Sequence, residues 1–258
     1  MRMKALIPAA GHGTRFLPVT RVIPKEMLPV GAKPAIQLIA EEALAAGAEE
    51  VVIVISPDKD IIRRYFEGDS DLAPHIRWAC QTEQLGLGHA VLQGADILAG
   101  EKEPVLVLLG DALVSGRAPS ADMVAISRQT DGASVVGLEE VPVEKVSRYG
   151  IVKGAPYGIA AVDHAFDGRV WKLDDMVEKP SPESAPSRMA IAGRYLLDPA
   201  IFRFLACQKP GHGGEIQLTD AIRNLMSQKN VYGYRYPGRR HDIGNPAGYR
   251  ETLEAFAC

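Results

Sequence analysis

Residues 4–30, KALIPAAGHGTRFLPVTRVIPKEMLPV, begin as a short apolar run and pass into a loop carrying two glycines, an arginine and a lysine among prolines. The run KALIPA reads as a buried strand. A glycine-rich loop leaving a strand can turn backbone N–H groups toward phosphate, and Arg15 and Lys25 add full positive charge. The stretch therefore predicts an α/β protein with a polyphosphate site at the end of its first strand.

The pattern repeats further along. PAIQLIAEEALAAG places Ile36, Ile39, Ala43 and Leu44 on one helical face, with Pro34 suited to the first turn and Gly47 to the end. EEVVIVIS follows as strand, DKDIIRRYFEG as helix, and HIRWAC as a strand on which Ile76, Trp78 and Cys80 share a face. GHAVLQGADILAG reads as one helix and PVLVLLGD as a central strand. Repeated βα units predict a mixed, mostly parallel central sheet flanked by helices. After residue 112 short strands dominate (ASVVGLEEV, YGIVKG, MAIAGRYLL), with helix returning in EIQLTDAIRNLMSQ and after Pro246. We expect one domain over 1–258: a nucleotide-binding part of about 1–112 and a more β-rich part of about 113–258.

Composition narrows the function. The 258 residues carry 29 Lys plus Arg against 32 Asp plus Glu, a net charge of −3, so no general attraction to nucleic acid or anionic membrane is expected. Three scattered cysteines, Cys80, Cys207 and Cys258, suit neither a disulfide framework nor a zinc cluster and fit a reducing compartment. VVIVI and VLVLL fall far short of the roughly 20 apolar residues that span a bilayer. The opening apolar stretch runs directly into GHGTR and reads as strand rather than leader. A cytoplasmic protein is expected.

The glycine loop is neither a Walker A sequence nor a complete dinucleotide fingerprint, because no Gly-Lys-Ser/Thr occurs and GHGTRF lacks the third glycine. Two glycines alone would serve a tight turn equally well. The longer string, however, resembles the sugar-nucleotide pyrophosphorylase family, and within it the bacterial uridylyltransferases that act on UTP and glucose 1-phosphate. The resemblance is carried by GHGTRFLPVTRVIPKEMLPV, GLGHAVL, YGIV, VEKP, AIAGRYLL, GGEIQLTDAI and HDIGNPAGY, in the family's order and over nearly the whole chain. It implies a Rossmann-like nucleotidyltransferase fold. The implied reaction is attack by a sugar 1-phosphate oxygen on the α-phosphorus of a nucleoside triphosphate, needing positioning and charge neutralisation rather than a covalent nucleophile. No G-x-S-x-G elbow is present, and the cysteines lie in apolar sequence surroundings.

Site residues follow from the matching motifs. The resemblance implies that Gly11 to Arg15, Gly13 and Thr14 among them, wrap the triphosphate, that Arg15 and Lys25 balance charge on the departing pyrophosphate, and that Ala10 and Gly11 make close backbone contacts with the nucleotide. Glu26 is equally well a structural partner for Arg15. A magnesium ion, Mg2+, is implied between Asp111, at the carboxyl end of a buried strand, and Asp242. Asp242 alone would also suit a turn or cap near Pro246, and His241 with Asp242 lacks the further ligands of a metal-dependent phosphohydrolase. Gln81 is implied at the base, where its amide matches the N3–H and O4 edge of uracil or thymine, with Gly86 making a close backbone approach. Glu178 is implied at the sugar hydroxyls, Lys179 at the incoming phosphate, and Gly150 and Gly193 where backbone meets sugar. His12 and His89 read as loop and helix-start residues, and Glu215 and Asp220 receive no role. No hexapeptide-repeat segment follows, so no second activity is expected.

The expected partners are therefore UTP and a hexose 1-phosphate, in a homo-oligomer that binds neither nucleic acid nor membrane. The alternatives are the same chemistry with dTTP or another hexose 1-phosphate and, in another class, a non-catalytic nucleotide-sugar binder. Retention of Arg15, Lys25, Asp111, Lys179 and Asp242 favours the enzyme.

Overall fold

The first strand, β1 (Met3–Pro8), shows why the opening run folds as it does. Ala5 and Ile7 belong to one apolar layer and Leu6 to the other, and none of the three is exposed. The computed structural model describes residues 3–68, 71–158, 166 and 168–257, so Cys258 lies outside the described residues. A small ribbon, β2 (Pro29–Val30) with β3 (Lys33–Pro34), precedes α1 (Ala35–Ala45). Pro34 stands just before the helix rather than within its first turn, and Gly47 follows its end at φ +101°. Then come β4 (Ala48–Ile55), α2 (Asp60–Glu67) and β5 (Ile76–Cys80).

The stretch read as one helix is two, α3 (Leu87–Leu92) and α4 (Ala95–Leu98). They part at Gly94, where an added Cβ would run into the Leu6 side chain of β1. The continuously apolar β6 (Val105–Leu108) is buried at every residue, worth about 1.5–3 kcal/mol for each full Val or Leu side chain.

The second half contributes β7 (Ala112–Ser115), α5 (Ser120–Gln129), β8 (Ser134–Glu140), β9 (Gly150–Pro156), β10 (Val170–Glu178) and β11 (Met189–Leu197). It closes with α6 (Ile201–Cys207), α7 (Leu218–Leu225), β12 (Val231–Arg235), β13 (Arg239–Asp242) and α8 (Pro246–Phe256).

Among the described residues nine strands form one sheet in the order β5-β4-β1-β6-β11-β8-β12-β10-β9, so a single sheet draws on both halves of the chain. Pairing is parallel from β5 to β6 and between β8 and β12, and antiparallel at the other junctions. The sheet is thus mixed as expected, with the parallel character concentrated in the first half. Helices α1, α2 and α5 cover one face through Ile36, Ile39, Ile62, Phe66 and Met123. Helices α3, α4, α6 and α7 cover the other through Val91, Leu98, Phe202, Leu218 and Ile222.

Along the face that Ile76, Trp78 and Cys80 share, Ile76 is buried and Cys80 exposed, and Cys80 and Cys207 are both free. Cys80 is the last residue of β5, the edge strand of the sheet. The topology also fixes where a ligand belongs: β1 lies between β4 and β6, the chain reverses direction across the sheet there, and the crevice opens at the carboxyl ends of β1 and β6.

Candidate active site

The loop leaving β1 reaches the switch point. It does not enter an α-helix; three short 3-10 turns, Thr14–Phe16, Val19–Arg21 and Lys25–Met27, fold it back on itself. Among the described residues, no acceptor in the protein takes the backbone N–H groups of Ala10, Gly11, His12 or Gly13. Gly13 is tied instead through its carbonyl, which accepts from Thr20 Oγ1 at 2.9 Å, and Thr14 stands exposed at the turn.

Lys25 is brought over this loop and donates from Nζ to Asp111 Oδ2 at 2.5 Å, with Glu26 Oε1 at 4.0 Å. Burial works against the lysine's charge, but the Asp111 and Glu26 carboxylates outweigh it and raise its pKa. Burial likewise pushes the Asp111 carboxyl up, and Lys25 and Arg15 override it to hold Asp111 below the ordinary aspartate value. Glu26 is not the partner of Arg15. It is buried and accepts from Lys59 Nζ at 2.8 Å, while Arg15 NH1 lies 3.9 Å from Asp242 Oδ2.

Strand pairing explains how Asp242 reaches Asp111 from so far along the chain. Antiparallel β13 and β7 set Asp242 opposite Ala112, and Ile243 N–H donates to the Asp111 carbonyl at 3.0 Å. Asp242 Oδ1 accepts from Gly244 N–H at 2.7 Å, whereas the cap of α8 is Asn245, which accepts from Gly248 N–H. A Cβ built on Gly244 would lie 2.8 Å from Asp242 Oδ1, 3.0 Å from Arg15 NH2 and 3.4 Å from Asp111 Oδ2, so both carboxylates converge on one point. Two carboxylates with the balance from water and phosphate suit a small hard divalent cation. No group of three or more His, Cys, Asp or Glu side chains that could hold a metal occurs among the described residues. His241 is buried, bonds through Nε2 to Ser115 Oγ at 2.7 Å and packs edge-on against Phe256.

Two cavities meet at this junction. The first, about 400 Å³, is lined by Ala10, Gly11, Lys25, Gln81, Gly86 and Glu215 among others. Gln81 is buried, and its Nε2 donates to the Gly86 carbonyl at 3.3 Å and lies 3.0 Å from His89 Nδ1. Its Oε1 finds no partner among the described residues. Gly86 must be glycine: at φ +101° an added Cβ would sit 2.7 Å from Glu215 Cβ and 2.9 Å from the Ile216 carbonyl. The segment before α7 is stitched to this loop, with Ile216 N–H donating to Leu85 O at 2.7 Å and Gly88 N–H to Ile216 O at 2.8 Å. That gives Glu215 a place, as a wall of the first cavity.

The second cavity, about 650 Å³, shares Arg15, Leu109 and Asp111 with the first and adds Arg148, Tyr149, Lys179, Gly193, Arg240 and Asp242. Lys179 is held at φ +46°, a left-handed conformation uncommon for a lysine, and its N–H donates to the Tyr149 carbonyl at 3.0 Å. Its Nζ lies 3.3 Å from Glu178 Oε1, and Glu178 Oε2 accepts from Thr219 Oγ1 at 2.6 Å. Gly150 sits beside that pair, where a Cβ would meet Thr219 Oγ1 at 2.7 Å, so Gly150 and Glu178 stand behind the cavity wall. Gly193, at φ +77°, presses against Leu109, with an added Cβ only 3.0 Å from Leu109 Cδ1.

Sequence reading missed three cations here. Arg240 stacks 4.8 Å over the Tyr149 ring and pairs with Glu139 at 2.6 Å, and its place beside HDIGN was an available signal. Arg148 is exposed on the second cavity with no carboxylate partner among the described residues, and adjoins YGIV. Lys59 had no signal, because a lysine before a helical run is ordinarily solvated.

Backbone donors, a pinned lysine and two carboxylates at the junction of two polar cavities define a protein built to hold two anionic ligands against each other. Residues 4–257 match the nucleotidyl transferase family. The chain is 40% identical, over 98% of its length and 92% of the relative's, to UTP–glucose-1-phosphate uridylyltransferase 1 of Staphylococcus saprophyticus. It is 39% identical over the same shares to the UTP–glucose-1-phosphate uridylyltransferase of Staphylococcus epidermidis. Among solved structures it resembles a UDP-glucose pyrophosphorylase complexed with UDP-glucose, with TM-score 0.86 and 39% identity, covering 100% of this chain and 99% of that one. The UTP-bound enzyme of Acinetobacter baumannii aligns with TM-score 0.83 and 32% identity, covering 99% and 93%. The chain belongs to the nucleotidyl transferase family, and within it to the sugar-nucleotide pyrophosphorylases of the UTP–glucose-1-phosphate type.

Proposed function

We propose that this protein transfers the uridylyl group of UTP to glucose 1-phosphate, giving UDP-glucose and pyrophosphate. The observation that carries the reading is the meeting of the two cavities at Arg15, Leu109 and Asp111, because in-line attack requires the sugar phosphate and the α-phosphorus to face each other across one point. The relatives' names supply the substrates.

In the first cavity the free N–H groups of Ala10, His12 and Gly13 receive the triphosphate, and Lys25 and Arg15 neutralise charge that builds on the leaving pyrophosphate. Gln81, with its Nε2 held by the Gly86 carbonyl, offers Oε1 to the N3–H of uracil or thymine, a position where cytosine has an acceptor instead. In the second cavity Lys179, with Arg148 beside it, holds the incoming phosphate and orients its oxygen, and Glu178 steadies Lys179 from behind the cavity wall. Gly193 leaves the backbone accessible to the sugar, and Gly150 leaves room for the Glu178–Thr219 pair. Asp111 and Asp242 would hold a magnesium ion, which when bound screens the phosphate charges and orients their oxygens.

We further propose a cytoplasmic homo-oligomer. Sparse free cysteines support the compartment, and no helix among the described residues is long and apolar enough to cross a membrane. Exposed Leu17, Val19, Val22 and Ile23 support self-association. Light scattering on the purified protein tests the assembly, and a monomer at all concentrations refutes it.

Activity is tested by pyrophosphate release with UTP, dTTP, CTP, ATP and GTP, each paired with glucose, galactose, mannose and N-acetylglucosamine 1-phosphates, with magnesium or with chelator. A dominant UTP and glucose 1-phosphate signal that chelator abolishes supports the reading. Another dominant pair corrects the substrate, and silence throughout with nucleotide-sugar binding retained overturns the catalytic roles.

A further inference from the structure

Lys59 closes the 3-10 turn Pro57–Lys59 that leads into α2, and it is 4% exposed. Its ammonium group has three hydrogens and three acceptors: the Ala9 carbonyl at 2.7 Å, the Gly11 carbonyl at 2.6 Å and Glu26 Oε2 at 2.8 Å. Burying a lysine this completely is expensive unless its charge is met and every donor is used. Glu26, itself 1% exposed, meets the charge.

The two backbone bonds matter more than the ion pair. A trans peptide unit points its C=O and N–H in opposite directions. Drawing the Ala9 and Gly11 carbonyls down to one ammonium group therefore turns the N–H groups of Ala10 and His12 to the loop's open side. From that side Gln84 Nε2 takes the Ala10 carbonyl at 3.1 Å, so three consecutive carbonyls are pinned in alternating directions. This loop has no helix behind it to fix its amides, and Lys59 supplies the equivalent order from below.

We propose that Lys59 is a positioning residue that preforms the phosphate-binding loop through the Ala9 and Gly11 carbonyls and so sets affinity for the nucleoside triphosphate without touching it. The inference rests on the reading that this loop receives the triphosphate. Because the pinned amides face the nucleotide cavity and not the sugar side, removing Lys59 should separate the two substrates.

The test uses the full chain carrying Lys59→Met, Lys59→Arg and the double change Lys59→Met with Glu26→Gln. The double variant removes the ion pair without stranding a carboxylate, and it decides the matter if the single Met variant does not fold. UTP binding is measured by calorimetry, and KM for each substrate at saturation of the other. Expected are at least a 10-fold loss of UTP affinity in both Met variants, KM for glucose 1-phosphate within 2-fold of the unmodified chain, and at least a 3-fold recovery in Lys59→Arg. UTP affinity within 3-fold of the unmodified chain in the double variant overturns the proposal, as does an equal rise in both KM values. Unmodified chain that binds UTP but does not turn over with glucose 1-phosphate refutes the activity alone, since the calorimetric comparison still reads Lys59. No UTP binding by the unmodified chain overturns both.

Discussion

Replacing Lys25 by Met tests the electrostatic argument most directly. The ammonium is held 2.5 Å from Asp111 Oδ2 and its side chain is only 12% exposed, while Arg15, the other cation at the junction, is 65% exposed. Loss of one preorganised stabiliser of transition-state charge costs about 10²–10³ in kcat, or roughly 2.7–4 kcal/mol. Lys25 sits where salt penetrates poorly, so the full loss should persist between about 0.05 and 0.5 M salt, because buried charges are screened far less than exposed ones. Arg15→Gln should cost less and lose much of its effect over the same range. The assay is initial-rate UDP-glucose formation at saturating substrates, with circular dichroism to verify folding. A folded Lys25→Met variant within 10-fold of the unmodified rate would refute the reasoning. So would a Lys25→Met effect that fades with salt as steeply as that of Arg15→Gln.

Gln81→Ala should flatten the ranking of UTP over CTP, by about the 1–3 kcal/mol that a buried group left unpaired costs, and an unaltered ranking in competition assays would place base reading elsewhere. Gly193→Ala forces an alanine to φ +77° against Leu109, costing about 1–3 kcal/mol of strain, and should raise KM for glucose 1-phosphate more than KM for UTP; steady-state kinetics decide. Glu42→Gln should lower Tm by about 6–20 °C at neutral pH, because it strands Arg194, fully buried and bonded to Glu42 Oε1 at 3.0 Å and Oε2 at 2.7 Å. Burial pushes the Glu42 carboxyl up, but Arg194 outweighs it and holds the pKa below 4.5. A depressed carboxylate stabilises above its unfolded value and loses that contribution as pH falls through the folded one, so the Tm gap should close in acid; a constant gap contradicts the pairing.

The βα pattern of the first half was legible because its strands and helices are buried on alternating or periodic faces: Ala5 and Ile7 against Leu6, and Ile36 with Ile39. What escaped was held by neighbours. Strand β13, Arg-Arg-His-Asp, carries no apolar alternation and exists because β7 supplies its hydrogen bonds. The break at Gly94 depends on how closely β1 passes, and the short span of α7 on Glu215 and Ile216 staying extended to clasp the base loop. Within the site, Asp111 and Asp242 converge, while Gly150 and Glu178 lie behind the wall of the second cavity. Lys59 was illegible because nothing local marks a lysine whose three acceptors come from residues 33 to 50 positions away.

The pairing of β13 with β7 has a consequence for the protein's synthesis. A growing polypeptide has its glycine loop, Lys25 and Asp111 at hand early, but the second aspartate, Asp242, follows more than a hundred residues after the first. An unfinished molecule can present part of a nucleotide cradle without the carboxylate pair that completes it. A chain cut short upstream of Arg239 therefore keeps the loop and Asp111 but lacks both Asp242 and the strand that carries it there.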